Sequence, residues 1–215
     1  MTTIATPANN SNALGFYGFE VEETRYSATP TVMDPPEKVA IFVDFDNVFK
    51  GFRESVAGIP EVFINFNEMG RLLAADRSVI LKKAYGAKMQ DFEIPGAYKS
   101  IVKAGFDQVL ENCDGPVQKG VDVRLALELD DCSRETSCDN ILLVSGDADF
   151  IPVVRRAQAR GKKVQVAAFS NCLSHNLAAA ADEVILLDEL KILDVHLDIS
   201  EAIKDAYSEV DVCMQ

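Results

Sequence analysis

From Lys38 onward the sequence alternates short runs rich in branched apolar residues with stretches of helical character, and this alternation limits the fold more than any other feature. The strand-like runs are "KVAIFVD", "SVILKKAYG", "FDQVLEN", "NILLVSG", "KVQVAAF" and "EVILL". Helical stretches are expected between them, around residues 65–75, 93–104, 120–131, 149–160 and 173–181. Strands separated by helices require crossover connections, so the runs should form a mainly parallel sheet covered by helices on both faces. The reading is an α/β domain at about residues 38–190. Ahead of it, residues 1–37 read as a flexible lead rich in Thr, Asn, Ser and Pro, closing on "DPPE", which can continue neither a helix nor a central strand. The aromatics of "LGFYGFEVEE" within that lead are enough for it to dock on the core. Residues 191–215 form an acidic tail.

At 215 residues with 48% hydrophobic content, the chain can bury one sizeable core. No apolar run approaches the roughly 20 residues of a membrane span, and the N-terminus lacks the pattern of a signal peptide. Five scattered cysteines without a CxxC, and only two histidines, speak against a disulfide framework or a zinc site. The expectation is a soluble, cytoplasmic protein with reduced thiols. Its net charge of -13 would argue against a polyanionic partner, but the charge is uneven. Residues 1–37 carry five acids and one base, and residues 182–215 carry ten acids and two bases, which leaves the middle near neutral. Within the middle, "RRAQARGKK", with Arg155 and Arg156, and "LKK" are basic patches able to meet phosphates. Cations in the last turn of a helix ending at Gly161 would equally suit its dipole.

The chemistry gathers at strand ends. "IFVDFDN" closes an apolar strand on Asp44, Asp46 and Asn47, and "LLVSGDADF" closes another on Ser145, Asp147 and Asp149. Unpaired charge is costly beside a buried strand, so such clusters are helix caps or ligands of a cation. In open α/β sheets the ligand sits beyond the carboxyl ends of the strands, where strand order reverses, so the two clusters should share one edge. A third acid, Asp122 in "KGVDVRLALELD", falls in the first turn of a helix anchored by Val121, Leu125 and Leu129. Its position also suits the helix dipole. Carboxylates without His or Cys select a hard, oxygen-loving cation, Mg²⁺ or Mn²⁺. Such an ion activates water and takes phosphate oxygens, which fits phosphodiester hydrolysis.

In order and spacing, "IFVDFDN", "KGVDVRLALEL" and "LLVSGDADFIPVV", followed by "GKKVQVAAF" and "AAAADEVILL", resemble the NYN domains of the PIN-like nuclease superfamily, above all the bacterial LabA-like branch. The resemblance covers about residues 38–190. It implies a PIN-like three-layer sandwich and a metal-dependent ribonuclease acting on RNA, expected to be single-stranded or to carry single-stranded regions. It places the family's acidic and amide positions on Asp44, Asn47, Asp122, Asp147 and Asp149, with the four aspartates as metal ligands. Asp46 departs from the pattern, standing where a small residue is usual; it either adds charge to the site or faces solvent.

Ser145 and Lys119 are further candidates for phosphate contact, although both residue types beside Gly are common in turns. Asn47 and Asp149 could instead cap the helices that follow them, and His175 reads as a helix-surface residue. Two alternatives remain beside the nuclease. "DFDN" loosely resembles the start of haloacid-dehalogenase-like phosphatases, with Asp44 as nucleophile and Asp46 as general acid, but "KGVD" does not supply their Lys and Ser/Thr on strand ends. A non-catalytic RNA-binding or adaptor module would leave so many clustered acids without a purpose. The charged ends are where a second copy or a protein partner is expected to attach.

Overall fold

The structure, a computed structural model, describes residues 35–59, 62–88, 96–112 and 119–195. The lead up to residue 34, with "GFYGFEVEE", and the tail beyond 195 lie outside the described residues. In chain order the elements are β1 (Lys38–Asp44), α1 (Phe45–Ser55), β2 (Val62–Ile64), α2 (Phe66–Ala74), β3 (Ser78–Lys88), α3 (Gly96–Lys103) and β4 (Asp107–Asn112). They continue with α4 (Lys119–Cys132), β5 (Asn140–Val144), α5 (Ile151–Ala159), β6 (Lys163–Ala168), α6 (His175–Ala180), β7 (Glu183–Leu186) and β8 (Leu193–Val195). Single 3₁₀ turns at Ala148–Phe150 and Leu187–Glu189 follow β5 and β7.

Six strands form one parallel sheet in the order β4-β3-β1-β5-β6-β7. The chain builds outward from β1 through β3 and β4, then returns to the other side of β1 for β5, β6 and β7, so strand order reverses between β1 and β5. The two central strands are buried on both faces, which explains their unbroken apolar sequences. Val39, Ile41 and Val43 face a core built with Phe45, Val48 and Phe52 of α1, Phe66, Met69 and Leu73 of α2, and Ile101 of α3. Ala40 and Phe42 face the opposite core, with Val121, Leu125 and Leu129 of α4, Val153, Val154 and Ala157 of α5, and Leu177 and Ala180 of α6. The result is the three-layer α/β/α sandwich expected from the alternation. No helix among the described residues is long and apolar enough to cross a membrane.

Two short strands were not anticipated, and one helix begins earlier than the Asn47 cap reading would place it. The helix α1 begins directly at the end of β1, so the strand's last residue, Asp44, is also the helix cap. The two strands, β2 and β8, are three residues each and pair antiparallel with each other, carrying strand pairing past residue 190. A bulge in β3 shifts its register against β1 between Val39 and Ala40. Beyond it, Lys82 and Lys83 serve opposite faces, as successive strand residues do. Lys82 donates to the carbonyl of Ala104 and lies over the Phe106 ring. Lys83 joins Tyr85 and Arg124 on Glu128 of α4, with contacts of 2.7, 2.8 and 2.5 Å. Burial pulls the Glu128 carboxyl up, but the hydrogen bonds from Lys83, Arg124 and Tyr85 outweigh it and hold it down at about 2. This knot ties α4, the helix that carries Asp122, to β3. Replacing Glu128 with Ala strands the Tyr85 hydroxyl and the Lys83 ammonium, and should lower stability by about 2 kcal/mol in denaturant titration. The Glu128→Gln variant, which keeps an acceptor, should lose less.

Candidate active site

The cleft lies where strand order reverses, at the carboxyl ends of β1 and β5, as the open-sheet rule requires. It has a volume of about 300 Å³ and is lined by Asp44, Asp46, Asn47, Lys50, Asp122 and Asp147. Three separate elements thus deliver acids to one place: the β1–α1 junction, the first turn of α4 and the turn after β5.

Asp44 is at the centre and only 5% exposed. One carboxylate oxygen accepts from the Asn47 backbone N–H at 3.1 Å, closing the N-terminus of α1. The other accepts from the fully buried Ser145 hydroxyl at 2.8 Å. Asp44 is therefore a helix cap and a cleft residue at once, and the cap reading of "DFDN" is realised. Burial pushes the Asp44 carboxyl up to about 7, against the lowering effect of those two hydrogen bonds, and the nearby charges of Asp122 and Asp46 add to the rise. Asp122 is raised too, first by burial and then by Asp147, Asp149 and Asp46. Asp44 and Asp122 are thus both raised by neighbouring carboxylates as well as by burial, and a cation in the cleft would relieve that repulsion.

Asn47 does not cap α1; it lies within the helix and braces the site. Its side-chain oxygen accepts from the Gly146 N–H at 2.9 Å and from the Cys172 thiol at 3.4 Å. Ser145 also holds the turn, its hydroxyl oxygen accepting from the Asp147 N–H at 3.2 Å. Asp147 in turn caps the 3₁₀ turn by accepting from the Asp149 N–H at 2.9 Å. Asp149 is exposed and does not line the cleft; it acts on Asp122 through its charge. Asp46 takes the first of its two expected roles: it lines the cleft, and accepts from the Ala87 N–H at 2.9 Å. The loop after β6 closes the construction. Asn171 donates to the Gly51 carbonyl at 2.9 Å, and the Ser174 N–H donates to the Gly146 carbonyl at 2.9 Å.

The basic candidates separate differently. Arg156 pairs with Asp130 at 3.0 Å, joined there by Arg160 at 2.6 Å. Lys162 donates to the Glu135 and Cys138 carbonyls, and Lys163 pairs with Glu183. The patch around "RRAQARGKK", from the end of α5 to the start of β6, is thus largely engaged by the protein's own acids and carbonyls. Arg155 is exposed on α5. Lys119 begins α4, and its side chain lies outside the described part of the structure. His175 is exposed at the start of α6, and Cys132, Cys138 and Cys172 are free thiols. Sequence reasoning missed Lys50, which lines the cleft. It stands one helical turn beyond Asp46 and Asn47, a spacing that would have exposed it had α1 been drawn from Phe45.

Among the described residues, no three His, Cys, Asp or Glu side chains form a ready-made ligand set. Mg²⁺ and Mn²⁺ take oxygen ligands and keep several of their waters. Asp44, Asp122 and Asp147 offer all-oxygen donors of the appropriate kind, so the residues fit the ion.

The α/β/α sandwich with an acidic cleft at its switch point serves many chemistries, and comparison with known proteins gives its class. The NYN domain profile matches residues 38–188. The chain belongs to the NYN family, a family of PIN-like nuclease domains whose members typically use divalent metals. It is 25% identical over 157 residues to the uncharacterized protein MJ0482 of Methanocaldococcus jannaschii, matching 73% of this chain and 58% of that one. The chain thus spans little more than half the length of that relative. It is also similar to a crystal structure of VPA0982 from Vibrio parahaemolyticus, a protein of unknown function. There the TM-score is 0.62 at 28% identity, covering 73% of this chain and 96% of the other. Family membership gives the chain a nuclease-type fold.

Proposed function

We propose that the chain is a ribonuclease that hydrolyses phosphodiester bonds of single-stranded RNA with Mg²⁺ or Mn²⁺, in the manner of the LabA-like branch. The observation that carries this reading is the convergence of Asp44, Asp46, Asp122 and Asp147 on one cleft at the switch point. Asp44, Asp122 and Asp147 would hold the ion, with Asp149 adding charge from the rim. When bound, the ion lowers the pKa of a coordinated water and screens the phosphate charge. Ser145 keeps Asp44 oriented, and Asn47 fixes the Gly146 backbone so that the β1 and β5 ends stay in register. The cytosol is the compartment that suits the free thiols. The acidic ends, rather than the near-neutral core, are where we place contacts with a second copy or a protein partner.

Two measurements test this. A panel of single-stranded RNA, duplex RNA and single-stranded DNA, incubated with Mn²⁺, should show cleavage of the single-stranded RNA; an adaptor would cut none. Ion binding should also depend on pH. Asp44 must be ionised to act as ligand, and its proton leaves at about 7. Affinity for Mn²⁺ should therefore be about tenfold weaker at pH 6 than at pH 8, with proton release on binding, measurable by calorimetry in buffers of different ionisation enthalpy.

A further inference from the structure

A second groove, of about 480 Å³, continues from the carboxylate cleft and shares Asp46 and Lys50 with it. Its lining is one stripe of α1 and the turn after it: Asp46, Phe49, Lys50, Arg53, Glu54 and Ala57. This is the spacing of a single helical face, three or four residues apart throughout. We infer that this groove is the path of the RNA strand outside the cleft, with Lys50 and Arg53 on its phosphates and Phe49 beneath its bases; the choice of ligand rests on the ribonuclease reading.

Three observations support it. First, Lys50 and Arg53 are exposed and hold no hydrogen bond or ion pair among the described residues. Nearly all the cations of the two basic patches are engaged, Lys82 and Lys83 on β3 as well as Arg156, Arg160, Lys162 and Lys163. Cations left unpaired beside an acidic cleft are the ones available to a polyanion. Second, Phe49 is half-buried and already fixed. It stacks on Phe45 at 5.7 Å between ring centroids and lies against Phe52 at 6.1 Å. A ring held in place loses little freedom when a base packs on it, and base–aromatic stacking with flanking cations is the usual way a single strand is gripped without sequence preference. Third, the dimensions agree. From Asp46 to Ser55 the helix rises about 14 Å, enough for roughly four phosphates of a stacked strand. Asp46 and Glu54 offset the two cations, so the groove guides a strand that the cleft's ion anchors rather than capturing RNA by charge alone.

The test compares wild type with a Lys50→Ala/Arg53→Ala variant, both surface changes on an exposed helical face. Binding of a trinucleotide and a decanucleotide of uridine is measured with Ca²⁺ in place of the catalytic ion, over a range of KCl. Wild type should bind the longer RNA more tightly, and the variant should lose about tenfold of that gain. Its salt slope should fall by about 1.4, the share of two phosphate contacts on a single strand. Equal length gain and equal slope in the two proteins would overturn the groove as the RNA path. Cleavage by wild type in Mn²⁺ is scored alongside. Absence of cleavage with a retained Lys50/Arg53-dependent slope would overturn the hydrolase reading and uphold the groove.

Discussion

Replacing Asp44 with Asn should stabilise the metal-free protein at pH 8 by up to roughly 4 kcal/mol while abolishing divalent-dependent cleavage. The folded state holds this carboxyl's proton up to about pH 7, whereas the unfolded chain releases it near 3.8. Its contribution to stability is fully present below the unfolded value and is lost as pH rises through about 7, because folding at higher pH forces a carboxylate into a buried site. Asn keeps the size and can still accept from the Asn47 N–H, while its amide can donate to the Ser145 oxygen in place of the present contact. The variant should therefore melt about 10 °C above wild type at pH 8 without metal, and nearly level with it at pH 4. Adding Mn²⁺ should raise the melting temperature of wild type and leave the variant unmoved. A variant no more stable than wild type at pH 8 would mean that the Asp44 carboxylate is well solvated.

The second large effect belongs to Gly146. A Cβ placed there would lie 2.1 Å from the Cys172 carbonyl oxygen, 2.6 Å from its carbon and 2.9 Å from Leu173 Cα. All three are backbone atoms, so no rotamer change relieves the overlap. Gly146→Ala must displace either the loop after β6 or the turn after β5, breaking the Gly146 N–H contact to Asn47 or the Ser174 N–H contact to the Gly146 carbonyl. A loss of about 3 kcal/mol is expected, with activity falling further than the folded fraction. Gly120→Ala is the matched control. Its Cβ meets nothing within 4 Å on a helix, so it should be neutral or slightly stabilising. Equal urea midpoints for Gly146→Ala and Gly120→Ala would show that the loop yields freely.

What could be read from the sequence follows the physics of each element. The six sheet strands were legible because a parallel strand buried on both faces is a continuous branched apolar run, as in "NILLV". Carboxyl-end acids were legible because the switch-point rule gathers them whatever the details of packing. Pairing between β2 and β8 was not, since three residues carry no periodicity and their partners lie far apart in sequence. The pairing of the basic patch was hidden for a similar reason. Asp130, which engages Arg156 and Arg160, is 26 and 30 residues away, so only the tertiary structure reveals that these cations are spent. Asp46, set apart as a departure from the family pattern, lines the cleft because α1 begins one residue after Asp44's cap and turns that position inward.

The central claim is that clustered carboxylates hold an ion that cuts RNA, and Asp147 tests it most directly. It lines the cleft at the end of β5, yet its backbone is held independently by the Ser145 hydroxyl. Turnover of labelled single-stranded RNA is measured for wild type in Mn²⁺, for wild type in EDTA, and for Asp147→Asn in Mn²⁺. Turnover should appear only in the first, falling by orders of magnitude in the others, with the variant melting as cooperatively as wild type. Equal turnover in EDTA, or by Asp147→Asn, would contradict it.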